Sequence, residues 1–156
     1  MKVSGAAQRS IWVGADGWSV QVIDQRRLPH AFVVADLRTM GDAAAAIRDM
    51  VVRGAPLIGA TAAYGLCLAA RSDPCDGGLA RARADLLATR PTAVNLQWAL
   101  DDMLSIMRAR APAERVSVGY ARAAQICDED VAQCHAIGQH GLGLLEAIWR
   151  KGSSSK

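Results

Sequence analysis

The stretch Ala46-Ile47-Arg48-Asp49-Met50-Val51-Val52-Arg53-Gly54-Ala55-Pro56-Leu57-Ile58-Gly59 joins the end of one helical run to the start of another. Upstream, the spacing predicts a helix that Thr39 caps, that Ala43 to Ile47 propagate and that Gly54 stops, with Ile47, Met50 and Val51 on one apolar stripe. Downstream, a second helix starts at Pro56, since a missing N–H costs nothing in a first turn. Its Gly59, Ala60, Ala62, Ala63 and Gly65 let a neighbouring backbone come close, which predicts a central, buried helix ending near Ala70 to Ser72. Between the two, free amides at a helix start sit beside the Arg53 guanidinium. Orphan N–H groups and the helix dipole favour an anion there, and arginine adds charge-assisted hydrogen bonds to phosphate oxygens. The same pattern also describes a plain helix–glycine–proline–helix corner with an exposed arginine.

Before this corner, Ile11-Trp12-Val13, then Gly14-Ala15-Asp16-Gly17, then Trp18 to Ile23 read as two strands around an Asp-Gly turn. Leu28-Pro29 breaks that pattern, and Ala31 to Ala35 is a third strand of a small antiparallel sheet. After it, Cys75-Asp76-Gly77-Gly78 reads as a loop and Leu79 to Ala88 as a helix with Arg81, Arg83 and Asp85 toward water. Val94 to Ala109 is a further helix with Val94, Trp98, Met103, Leu104 and Met107 at helical spacing. Ala113 to Cys134 begins a long helical stretch, with a break expected at Gly138, Gly141 and Gly143. The expected fold is α+β and mainly α: a flexible amino terminus over 1–10, a domain over 11–149 with a hairpin and small sheet at 11–36 and a helical part at 39–149, and a disordered tail over 150–156.

Composition narrows the function. The chain has 156 residues, 51% of them hydrophobic, enough for one domain that buries roughly two-thirds of its unfolded surface. Its net charge of +3 comes from arginines spread along the chain, and Trp12, Trp18, Trp98 and Trp149 are not interleaved with a basic stripe, so no nucleic-acid footprint is present. Residues 1–10 lack the apolar core of a signal peptide, and the apolar stretches are interrupted by Arg, Gly or Asp, which predicts a soluble, cytoplasmic protein without membrane contact. Cys67, Cys75, Cys127 and Cys134 form no CxxC pair and read as reduced, mostly buried thiols.

Thr89-Arg90-Pro91-Thr92-Ala93-Val94-Asn95 repeats the arrangement of an arginine beside a proline at a helix start. If the two corners converge, Arg53 and Arg90 grip one phosphate from two sides, and Asn95 reaches a hydroxyl. A solvated arginine flanked by a capping threonine describes the same residues. His135 and His140 are five apart on different helix faces, His30 is remote, and Cys127 and Cys134 lie two turns apart, so no metal site is expected. Asp128, Glu129 and Asp130, like Asp101 and Asp102, read as solvated helix surface.

The segment Ala46 to Gly59 with Ala62-Ala63-Tyr64-Gly65 resembles the signature of the methylthioribose-1-phosphate isomerase family. Ile23-Asp24-Gln25, Leu28-Pro29-His30, Ala88 to Leu96, Ile126 to Val131 and Ala136 to Gly141 extend the resemblance in order from Ile11 to about Trp149. It implies an aldose–ketose isomerase of methionine salvage, converting 5-methylthioribose 1-phosphate to 5-methylthioribulose 1-phosphate without a cofactor. It further implies substrate contacts at Arg53, Gly54, Ala55 and Arg90, and a dimer or a companion chain carrying the catalytic half.

The family's catalytic Cys and Asp belong to a carboxy-terminal Rossmann-like domain, in segments that this sequence lacks. None of its four cysteines stands in the corresponding motif. The resemblance therefore implies an amino-terminal part with no catalytic residue of its own, silent when alone. The alternatives are a non-catalytic sugar-phosphate-binding or assembly module, of the kind found among regulatory subunits of the initiation exchange factor, a related ribose 1,5-bisphosphate isomerase fragment, and a decayed fragment without function.

Overall fold

The computed structural model describes residues 2, 3 and 5–153, with side chains at 5 and 8–151. The chain divides into two compact units, residues 1–124 and 125–156, where the sequence suggests one domain over 11–149.

Two small antiparallel sheets open the first unit. Strand β1 (Lys2–Val3) pairs with β2 (Ala6–Ala7) within the amino terminus expected to be flexible, and Gly5, at φ 84°, supplies the left-handed residue of the reversal. Strands β3 (Ile11–Val13), β4 (Val20–Ile23) and β5 (Val34–Leu37) form a three-stranded sheet in that order. The Asp16-Gly17 turn is present, but Trp18 and Ser19 stay in it. The Asp16 carboxylate accepts from both of their amides, at 3.0 and 2.8 Å, and so holds them off the strand. The third strand starts three residues later than the expected Ala31, because β4 pairs Ile23 with Val34 and Val20 with Leu37. Residues 28–33 are left to the turn.

Helix α1 (Met40–Arg48) carries the expected cap. Thr39 Oγ1 accepts from the Asp42 amide at 3.1 Å, and the Asp42 carboxylate accepts from the Thr39 amide at 2.8 Å. It ends at Arg48, not Gly54. Met50 is left-handed at φ 58°, the amides of Asp49 and Val52 close on the Ala45 and Ala46 carbonyls, and Val52 enters the core from outside the helix.

Helix α2 (Ala55–Ser72) is the buried centre, as expected. A β-carbon on Gly59 would lie 3.0 Å from the Asn95 carbonyl oxygen, and one on Gly65 would lie 3.1 Å from both Ala43 Cβ and Leu86 Cδ2. Glycine at these sites is what lets three neighbours reach the α2 backbone.

Helix α3 (Asp76–Thr89) begins inside the expected loop, because the Cys75 sulfur accepts the Gly78 amide at 3.2 Å and so caps it. Helix α4 (Val94–Arg108) buries Leu96, Ala99, Leu100, Met103, Leu104 and Met107, while Val94 and Trp98 stand 78% and 50% exposed. The expected inward face holds at Met103, Leu104 and Met107 and fails at Val94 and Trp98.

A 3-10 turn at Pro112–Glu114 leads into α5 (Arg115–Ser153), which runs unbroken through Gly138, Gly141 and Gly143 and into the tail expected to be disordered. Glycine costs a helix about 1 kcal/mol without blocking its hydrogen bonds, and no proline follows to stop this one.

Candidate functional site

The first corner begins where α1 stops. After the left-handed Met50, Arg53 is exposed and its Nε donates to the Met50 carbonyl at 3.4 Å. Gly54 follows at φ 86°, the left-handed region, and caps α2 without any side-chain bond. Ala55 and Pro56 are the first two residues of the helix, and its intrahelical ladder starts with the Ile58 amide on the Gly54 carbonyl at 3.0 Å.

The second corner begins at Arg90, the half-exposed last cap of α3. The Ala93 amide donates to its carbonyl at 3.0 Å, and Ala93 then caps α4, again with no side-chain bond. Neither threonine of the segment caps the helix. Thr89 turns back to donate to the Leu86 carbonyl at 2.6 Å, and Thr92 lies one residue before the cap.

The two helix starts are neighbours. Gly59, one turn into α2, packs on Asn95 in the first turn of α4, and at the far end Cys67 of α2 and Met107 of α4 both meet Gly119. The pair therefore runs parallel, with both positive dipole ends on one side. Of the expected contacts, Gly54, Ala55 and Asn95 belong to these starts, and Arg53 and Arg90 lie on the connections leading into them.

The capping pattern separates these helices from the others. Helices α1 and α3 have side-chain caps, Thr39 and Cys75, and an acidic residue in the first turn, Asp42 and Asp76. Helices α2 and α4 have neither. Their first-turn amides are offered to whatever lies beyond the helix end, in a field that nothing in either first turn neutralises. That contrast is the site signal missed in the sequence, although the absence of Asp and Glu from residues 55–57 and 94–96 is legible there.

Other groups have structural partners. Burial pushes the Cys67 thiol well above its ordinary range and excludes it from thiolate chemistry. Cys75 and Cys134 are exposed and Cys127 half-buried, so the expectation of mostly buried thiols holds for Cys67 alone. Among the described residues no group of three or more His, Cys, Asp or Glu side chains could hold a metal ion. Asp101 and Asp102 bind Arg83 and Arg122, at 2.6 and 2.7 Å. A groove of about 470 Å³ between α3 and α4 is lined by Ala80, Arg83, Asp101, Leu104, Ser105 and Arg108, and none of the two corners' residues reaches it.

Tyr120 is an unexpected anchor. Its hydroxyl donates to the Trp18 carbonyl, burial raises its pKa to about 12, and the Trp18 ring carries Arg71 4.3 Å and Arg38 5.4 Å from its centroid.

Comparison with known proteins bears on the same segments. The chain is 55% identical over 147 residues to the methylthioribose-1-phosphate isomerase of Paramagnetospirillum magneticum, an alignment covering 94% of this chain and 41% of that protein. It is 57% identical over 148 residues to the enzyme of that name from Acidiphilium cryptum, covering 94% and 40%. The chain thus spans about two-fifths of the length of these relatives. Among solved structures, the 5-methylthioribose 1-phosphate isomerase of Pyrococcus horikoshii superposes with a TM-score of 0.72 at 36% identity, over 80% of this chain and 37% of that one. The delta subunit of translation initiation factor eIF-2B from A. fulgidus gives 0.73 at 32% identity, over 80% and 38%. Residues 51–151, from the end of the α1 turn to the last turns of α5, match the Initiation factor 2 subunit family, and the chain belongs to that family.

Proposed function

We propose that this chain is the substrate-phosphate part of a methylthioribose-1-phosphate isomerase. Arg53 and Arg90 flank the phosphate, the amides at the starts of α2 and α4 donate to its oxygens, and Asn95 meets a sugar hydroxyl. The observation that carries the reading is the pair of parallel helix starts without side-chain caps or first-turn acids, next to two capped helices in the same fold. The name shared by the relatives supplies the substrate: a phosphorylated sugar offers the dianion that two helix ends and two guanidinium groups stabilise. No metal or cofactor enters this reading, and the setting is the cytoplasm.

The chain binds and does not turn over. Opening a sugar locked as a phosphorylated acetal needs a positioned proton donor and acceptor. Cys67 is sealed in the core, and the remaining cysteines are not at the starts of α2 and α4. The groups that move protons belong to the remaining three-fifths of the full-length protein, in the same chain or in a companion.

Titration calorimetry with methylthioribose 1-phosphate tests the site. Arg53→Ala should weaken binding at least about tenfold, the value of one charge-assisted contact of about 1.5–3 kcal/mol. Unchanged affinity removes the phosphate assignment. An assembly module of the initiation-factor type would bind no sugar phosphate at all, and the Thr89 to Leu96 segment favours the isomerase branch.

A further inference from the structure

We propose that Asp24 and Arg26 are positioning residues for Arg53, acting through one peptide plane in the turn before α2. This rests on the phosphate reading of the first corner and deepens it.

Arg53 is exposed, and its own tether, the 3.4 Å bond from Nε to the Met50 carbonyl, is longer than an ordinary N–H···O bond. Gly54 after it has wide conformational freedom and no side-chain bond to the helix it caps. The point from which the guanidinium reaches outward is therefore set by what precedes it. There the peptide unit between Val51 and Val52 is held at both ends. The Val52 amide donates to the Ala46 carbonyl of α1 at 3.2 Å, and the Val51 carbonyl accepts from the Gln25 amide at 2.9 Å. A peptide unit is planar, so two bonds in opposite senses fix its tilt, and the wholly buried Val52 side chain fixes its depth.

The Gln25 bond comes from the loop after β4, and Asp24 builds that loop. Four successive amides there have four different acceptors. Asp24 donates to the Val33 carbonyl at 2.9 Å, Gln25 to Val51, Arg26 to the Asp24 carboxylate at 3.0 Å and Arg27 to the Asp24 carbonyl at 3.2 Å. The buried Asp24 carboxylate thus closes an Asx turn, and Nε and Nη2 of Arg26 close on it at 2.9 and 2.8 Å. Between these anchors the Gln25 amide is left facing the corner. The charge of Arg26 also acts on Asp49, the last cap of α1, so the loop is tied to the chain on both sides of the left-handed Met50. Opening the turn releases the Val51 carbonyl and the peptide that leads into Arg53, without either residue touching the anion.

A double-mutant cycle tests the role, read by titration calorimetry with methylthioribose 1-phosphate. Asp24→Ala removes the turn and the ion pair, whereas the amide oxygen of Asp24→Asn can still close the turn. Affinity should fall at least about threefold in Asp24→Ala and less in Asp24→Asn, and neither should lower it further once Arg53→Ala is present. Equal losses in both backgrounds overturn the proposal, because Asp24 then acts on something other than Arg53. If Asp24→Ala fails to fold, Asp24→Asn carries the same comparison.

Amide hydrogen exchange of the free chain supplies the second arm. A general loss of stability speeds the Val52 amide and the Leu100 amide of α4 alike, so their ratio reads the clasp alone. The ratio should rise at least about fivefold in Asp24→Ala and by less in Asp24→Asn. An unchanged ratio, with Arg53→Ala still weakening binding, overturns the positioning role and leaves the phosphate reading standing. An Arg53→Ala variant that binds like the parent removes that reading and this role together.

Discussion

Asp24 is 5% exposed and yet charged, because a single neighbour satisfies it. Arg26 gives the carboxylate its amide at 3.0 Å, its Nε at 2.9 Å and its Nη2 at 2.8 Å. The Arg26 side-chain bonds are the main reason the Asp24 carboxyl titrates below its ordinary value of 3.8. A carboxyl depressed in the folded state contributes stability that is present above the unfolded value and lost as pH falls through the folded one. Asp24→Asn should therefore flatten the fall in melting temperature below about pH 4, at a cost of about 1–2 kcal/mol near neutrality. An unchanged acid slope would place the acid sensitivity in other carboxylates. In the sequence, Arg26 and Arg27 look alike as turn arginines, and only the conformation of the turn shows which one folds back.

Helix α2 sets the element scale, since its glycines do opposite work to those of α5. At Gly65 a methyl group would meet Ala43 and Leu86 at 3.1 Å, and overpacking of about 1–3 kcal/mol offsets the roughly 1 kcal/mol that alanine gains in a helix. At Gly138 nothing lies within 4 Å, and the propensity gain stands alone. Calorimetric unfolding should rank Gly138→Ala above the parent and Gly65→Ala below it by about 1 kcal/mol. The reverse order would mean that the α2 contacts yield at little cost. Periodicity placed α2 and α4 within a residue or two at each end, because long apolar repeats have one helical solution. It failed where an individual residue decided the ending: Met50 in a left-handed conformation, Cys75 capping through sulfur, and three glycines that do not interrupt α5. In α4 the expected stripe holds at Met103, Leu104 and Met107, whereas Val94 and Trp98 lie on the opposite side of the helix and yield the inward face to Leu96, Ala99 and Leu100.

For the whole molecule, the proposed function puts binding and chemistry on different parts of the polypeptide. The isolated chain should show no isomerisation of methylthioribose 1-phosphate by proton NMR, even at concentrations where calorimetry detects binding. Turnover at a rate near that of the full-length relatives would place proton-transfer groups inside these 156 residues. The sheet-then-helices architecture was legible because hairpin and helix signals are local. Candidate site residues could be named, but the proximity of the two helix starts could not be read, because corners far apart in sequence adjoin only through packing between α2 and α4.

The contact of Gly59 with Asn95 has one more consequence. Where side chains separate two helices, each exchange of leucine for methionine or isoleucine changes their spacing. Here hydrogen atoms and a carbonyl set it, so the distance between the two helix mouths is a matter of atomic radii. The interior can drift through many compositions while that aperture keeps its width, and the change that alters it is the addition of a single carbon at position 59.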